Sequence, residues 1–187
     1  MTHVTEADLD DLEFDTLRTG EHRAAAVRLT EMADTAEPSQ GGVSRAKVLL
    51  RAGEQFQHAG DHVRAAEVYR LAIEDGGEVY GDPRVYLADA LLKLGETEES
   101  LSLLAQIRES KPTDPEVYRV VAEVLYEHGD LLGAHTWSTE GADLILAQPE
   151  ASRGDAADSL EGLLRMRFRA RVDLGRPEDE YDALLDA

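Results

Sequence analysis

Glycines at 60, 95 and 129 recur at intervals of 35 and 34 residues, and each is followed at once by an acidic residue. A period in this range marks stacked two-helix units, each too small to bury its own apolar face and stable only against its neighbours. An array of that kind builds a surface for gripping a partner rather than a pocket for chemistry.

Helical periodicity runs nearly end to end. Thr5 is placed as an N-cap, with Glu6 and Asp8 suited to a helix N-terminus, and Leu9, Leu12, Phe14 and Leu17 follow as an apolar stripe up to Gly20. A second helix is expected over 21–33, and the run from Glu37 through Gly42 reads as a loop. From Ser44 one helix runs to about His58 and another from Asp61 to about Glu74. Asp82-Pro83 and Asp114-Pro115 each place a capping carboxylate before a proline suited to a first helical turn, so two further helix pairs start there. After Pro149 a polar loop leads to a long helix over 156–174; Gly175-Arg176-Pro177 stops it, and a short last helix is expected over 178–185. No segment alternates with period two between turn signals, so no sheet is expected.

Aligned on their glycines, the central units share more than the turn. The first has Leu49, Ala52-Gly53, Phe56, Gly60-Asp61, Ala65, Tyr69 and Ala72; the second has Leu87-Ala88, Leu91, Gly95-Glu96, Leu104, Ile107 and Pro112; the third has Tyr118, Val121-Ala122, Leu125, Gly129-Asp130 and Ala134. Small residues at Gly53, Ala65, Ala88, Ala122 and Ala134 let helices close tightly. Bulky ones at Phe56, Tyr69, Leu91 and Leu125 fill the space between pairs. The pattern resembles the tetratricopeptide repeat, well over residues 46–146 and more weakly at the flanks. Arg84, Ser100 and Gly141 depart from it, standing where a large apolar residue, alanine and alanine are usual, and Trp137 is placed against the third unit's second helix.

The resemblance implies an all-α fold, a right-handed α-solenoid of antiparallel helix pairs with about five hairpins. The chain is expected to divide into a degenerate N-terminal hairpin and loop (1–42), three central repeats (43–148) and a C-terminal hairpin or cap (149–187). It also implies that the first helix of each pair lines a concave groove. Carried over by phase, the exposed inner positions are Leu50, Glu54, Gln57 and His58, then Val85, Tyr86, Asp89 and Leu92, then Arg119, Glu123 and Tyr126. Tyrosines mixed with Glu54, Asp89 and Glu123 suit a peptide bearing lysine or arginine. A clamp for a chaperone's C-terminal carboxylate is not expected: Leu50 and Glu54 stand where its first lysine and asparagine belong, and the chain has no asparagine at all.

Charge narrows the partners. Thirty-nine acidic residues against nineteen basic ones give a net charge of −20, which repels nucleic acid and anionic membrane and favours basic partners. A simpler account is that acidic helix faces keep the protein dissolved. The one basic concentration, Arg165, Arg167, Arg169 and Arg171, is spread around a helix by its alternate spacing and is expected to meet acidic neighbours across the groove or an acidic partner rather than nucleic acid; Met166 and Phe168 beside it read as core or as a dimer contact. Without cysteine there is neither a disulfide framework nor a thiolate metal site. His58 and His62 straddle Gly60, and His128 and His135 straddle a turn, so with His3 and His22 they read as helix-end residues and no metal or other cofactor is expected. No phosphate loop, nucleophile elbow or zinc-protease motif occurs, and no enzymatic activity is expected. Apolar stretches fall far short of about 20 residues, and Met1-Thr2-His3-Val4-Thr5-Glu6 lacks the features of a secretory signal. These point to a cytoplasmic protein, and the arginine bias to a GC-rich bacterial genome, although a salt-adapted archaeal protein would share it. The function expected is a non-enzymatic adaptor for a peptide or protein. The competing readings are a homodimerisation module and a helical sensor for a signalling peptide.

Overall fold

Each repeat glycine ends its helix in the same way. Gly60, Gly95 and Gly129 have φ of +72°, +82° and +82°, a left-handed conformation that a side chain would strain. The amide after each glycine (Asp61, Glu96, Asp130) donates 2.9 Å back to the carbonyl of Phe56, Leu91 and Leu125, and the glycine amides donate to Gln57, Leu92 and Tyr126. This is the Schellman closure. Its acceptor residues are the same bulky side chains that fill the space between pairs, so turn and packing positions are tied together in sequence.

A computed structural model of the chain describes residues 4–35, 43–148 and 154–185. The expected loop over 37–42, together with His3 and Pro149, lies outside them. Among the described residues there are nine α-helices, one 3-10 turn and no strand. The helices are α1 (Glu6–Thr19), α2 (His22–Thr35), α3 (Arg45–His58), α4 (His62–Asp75), α5 (Pro83–Leu94), α6 (Thr97–Glu109), α7 (Pro115–Glu127), α8 (Leu131–Leu146) and α9 (Asp155–Asp173). Their starts follow the capping chemistry. Thr5 and Asp8 form a reciprocal capping box at α1. Asp82 and Asp114 accept from the amides of Arg84 (3.0 Å) and Glu116 (2.9 Å), each with a proline in the first turn.

The chain groups into two units, Met1–Leu103 and Leu104–Ala187, the boundary falling inside α6. In the first, α2 packs on α3, α3 on α4 and α4 on α5, with α1 against α2. Its core runs from Leu9, Ala26 and Leu29 through Leu49, Phe56, Ala65 and Tyr69 to Leu87 and Leu91. In the second, α7 packs on α8 and α9 on both, around Ala142, Ile145, Leu163 and Leu164.

The departures from the repeat pattern have local causes. Ser100 is fully buried and its hydroxyl donates to the Ala88 carbonyl (2.9 Å), so the extra oxygen is satisfied where alanine would leave nothing to satisfy. At Gly141 a Cβ would lie 2.7 Å from Tyr118 Cβ and 2.8 Å from Leu163 Cδ2, so α8 can approach both neighbours only without one. Arg84 turns back on its own cap, its guanidinium held by Asp82 at 2.9 and 2.5 Å. Trp137 is buried against Tyr118, ring centroids 5.5 Å apart.

The last helix is a correction. Over 178–185 only a 3-10 turn forms, Asp182–Leu184. The acids of this stretch are drawn to α9 instead. Asp179 accepts a two-pronged contact from Arg167 (2.9 and 2.7 Å). Asp182 pairs with Arg171 (3.0 Å) and accepts from the Asp179 amide (2.9 Å). Tyr181 donates to Asp143 (2.6 Å) and lies under Arg167, 4.0 Å from the ring centroid. These side-chain anchors fix a tight strap where a regular helix would point the same acids around its circumference.

Candidate protein-interaction site

On α3 and α5 the sequence-predicted groove residues divide by burial. Leu50 and Val85 are fully buried core, and Asp89 is buried as well, so none of the three is an open groove position. The reason is that α3 and α5 sit inside a succession of helices: α3 is flanked by both α2 and α4, and its exposed arc is narrower than a free helix would offer. Glu54, Gln57, Tyr86 and Leu92 are half-buried at the rim, and His58 is exposed.

Those rim residues form one hydrogen-bonded and aromatic cluster. The Tyr69 hydroxyl, on α4, donates to Gln57 Oε1 (2.8 Å), and Gln57 Nε2 donates to the Asp89 carboxylate, which also receives Lys93 Nζ (2.9 Å). The Tyr86 ring lies 5.9 Å from that of Tyr69 and 6.3 Å, nearly perpendicular, from that of Tyr80. Asp89 is therefore compensated twice within the protein.

Glu54 is compensated more loosely. Arg51 stands 3.9 Å away and makes its closer contact to Glu13 at 2.8 Å while its guanidinium covers the Tyr80 ring at 5.0 Å. Burial holds the Glu54 carboxyl above the usual carboxylate range, although the Tyr80 hydroxyl and Arg51 oppose the shift. That hydroxyl is buried and close enough to Glu54 to temper its acidity, yet makes no hydrogen bond of regular geometry; Arg51 Nε is also buried without one. Burial and the adjoining carboxylate push the Tyr80 phenol far above its ordinary value. Tyr80 was not among the residues expected. Its only signal in the sequence is an aromatic side chain in the glycine-rich link Gly76-Gly77-Glu78-Val79-Tyr80-Gly81.

In the second unit the expected site residues are taken up internally. Arg119 is held by Glu116 (Nε to Oε2 2.7 Å) and by Glu123, four residues on. The Tyr126 hydroxyl donates to Asp173 (2.5 Å), and Arg169 covers its ring at 4.7 Å. Three arginines of α9 pair with acids of the same unit: Arg165 with Glu161 (2.5 Å), Arg167 with Asp179 and Arg171 with Asp182. Met166 is buried and Phe168 exposed.

The histidines bring one contact the sequence did not show. His22 and His58 meet edge to face at 5.3 Å, and His22 Nδ1 donates to Gln55 Oε1 (2.8 Å). Among the described residues no group of three or more histidine, aspartate or glutamate side chains is arranged to hold a metal ion. No helix among them is long and apolar enough to cross a membrane.

Residues 57–124 match the family model of the tetratricopeptide repeat. The match begins at the end of α3, covers α4, α5 and α6, and ends in α7. This segment is a tetratricopeptide repeat segment, and its helices, packed in succession within each unit, are those of a tetratricopeptide-like helical array. Repeats of this class serve as protein–protein interaction scaffolds and are typically without catalytic activity. A comparison with curated proteins gives no match.

Proposed function

We propose that the protein is a non-enzymatic adaptor that holds a peptide segment carrying a lysine or arginine beside apolar residues, against the face formed by α3, α5 and Tyr80. The observation that carries this reading is the state of Glu54. It is a half-buried carboxylate whose neighbouring cation, Arg51 at 3.9 Å, is held more closely by Glu13, and it adjoins the buried Tyr80 hydroxyl and two further tyrosine rings. A guest ammonium or guanidinium gives the carboxylate a closer cation than Arg51 does, and the tyrosine edges add contact area at little cost in side-chain entropy. Glu123 and Asp89, which already have internal partners, add little attraction. A cytoplasmic location fits a partner of this kind.

The test is selection from a displayed library of random peptides, carried out in parallel on the natural chain and on a Glu54→Gln/Tyr86→Ala variant. Enrichment of peptides with a basic residue on the natural chain, absent from the variant, is the expected result. Enrichment of the same peptides on both, or of acidic peptides on either, sinks the reading.

A further inference from the structure

Arg51 is shared between two carboxylates on different helices, and the sharing is unequal. Its Nη1 lies 2.8 Å from Glu13 Oε2 on α1 and 3.9 Å from Glu54 Oε2, three residues further along α3. A partner three residues away is the one a helix offers its own side chains by default. Glu13 wins instead because α1 brings it to the half-buried edge of α3, and Asp10, three residues before it, adds to the negative field about the guanidinium. The guanidinium also covers the Tyr80 ring beside Glu54, with its centre 5.0 Å from the ring centroid. Arg51 therefore lies where a guest lysine or arginine would compete with it, and its pull toward Glu13 is what leaves Glu54 only loosely compensated.

We infer that Glu13 is a positioning residue for the peptide face: by holding Arg51 it keeps an internal competitor off Glu54 and so sets the affinity for a basic guest. The inference rests on the role proposed for Glu54, and every residue in it belongs to the first unit. Once Glu13 lets go, closing the gap between Arg51 and Glu54 from 3.9 to about 2.8 Å raises their attraction by about 40% through distance alone and adds a charge-assisted hydrogen bond. A guest must then break that contact before it makes its own. The other titratable neighbours of this cluster are His58, on which Glu13 acts, and the phenols of Tyr80 and Tyr69, both raised by Glu54. A second ion pair between α1 and α3, Glu6 with Lys47, holds α1 without involving Arg51.

A double-mutant cycle on Glu13→Gln and Arg51→Met separates this role from the plain loss of an acidic charge. Methionine keeps an apolar stem where Arg51 Nε is buried without a hydrogen bond, and circular dichroism checks that each variant is folded. Binding is measured calorimetrically at about pH 8, well above the ordinary carboxylate range, with a lysine-bearing peptide selected on the natural chain. Glu13→Gln is expected to weaken binding about tenfold, whereas the same change in the Arg51→Met chain weakens it by no more than about twofold. Arg51→Met alone binds more tightly than the natural chain. Glu6→Gln, which removes the other ion pair between α1 and α3, leaves the affinity within about twofold. Carbon-13 resonance of the Glu54 carboxyl follows the same cycle with no peptide present: Glu13→Gln lowers its titration midpoint, and the shift shrinks once Arg51 is gone. Equal effects of Glu13→Gln with and without Arg51, in either measurement, overturn the inference, as does an equally large loss of binding in Glu6→Gln. A natural chain on which no basic peptide can be selected overturns the proposed function instead, and the carboxyl titration then decides by itself whether Glu13 holds Arg51 off Glu54.

Discussion

Gly53 of α3 is the seat of the Tyr69 ring of α4: a Cβ at position 53 would lie 2.2 Å from Tyr69 Cε1 and 2.5 Å from Cδ1. That absence of a side chain lets a fully buried tyrosine lie flat against the neighbouring helix and reach Gln57 with its hydroxyl. The same ring backs Tyr86, so packing inside the first unit fixes the rim of the face proposed to hold a partner.

Gly53→Ala is accordingly expected to destabilise the first unit by about 1–3 kcal/mol through overpacking, in spite of alanine's better helix propensity. Chemical denaturation of the natural chain and the variant measures it. Tyr69→Phe, which keeps the ring and removes only the hydroxyl, is expected to cost about 0.5–1.5 kcal/mol.

The strap after α9 depends on a buried ion pair. Arg171 and Asp182 are both almost fully enclosed. Removing either partner alone leaves a stranded charge, and Asp182→Ala is expected to cost about 3–5 kcal/mol, whereas replacing both by apolar residues of similar size costs much less. Hydrogen exchange over 178–185 reads the outcome. The Tyr181 phenol, pushed up to about 12 by its hydrogen bond to Asp143, is expected to titrate late in an ultraviolet pH titration, and Tyr181 absorbance at ordinary phenol pH would count against the strap.

Two groups of the first unit give opposite pH dependence. Partial desolvation of the ring, although the residue as a whole is exposed, with His22 nearby, holds His58 below its ordinary value. Its folded pKa is depressed, so the neutral ring contributes stability above the unfolded value of about 6.5 that is lost as pH falls through that value toward the folded pKa. Glu54 is shifted upward by burial, so its contribution is fully present below the unfolded value of about 4.3 and is lost as pH rises through the folded pKa. His58→Gln should therefore flatten the stability profile just below pH 7. Glu54→Gln should raise the melting temperature at neutral pH and have little effect near pH 4. Thermal melts across pH 4–8 check both.

Much of the helical plan was legible because local chemistry states it. Asp before proline, Thr5 with Asp8, and glycine four positions after Leu91 or Leu125 each determine a helix end within a few residues. Burial of Gly53, Ala65, Ala88, Ala122 and Ala134 followed from the spacing that places small side chains between helices. The site was less legible. Phase alone placed Leu50, Val85 and Asp89 at open positions, but exposure of a helix face depends on neighbours on both sides. Tyr80 could not be found by phase, since it lies in a link between helices. The strap over 178–185 carries a helix-like composition, and only the long-range arginines Arg167 and Arg171 decide its conformation.

Hydrogen exchange with a selected basic peptide tests most directly whether the α3, α5 and Tyr80 face is where a partner is held. Saturating peptide is expected to slow exchange in Arg45–His58, Pro83–Leu94 and the link containing Tyr80, with the effect lost in Glu54→Gln. Protection confined to other helices, or unchanged by that substitution, would contradict the account.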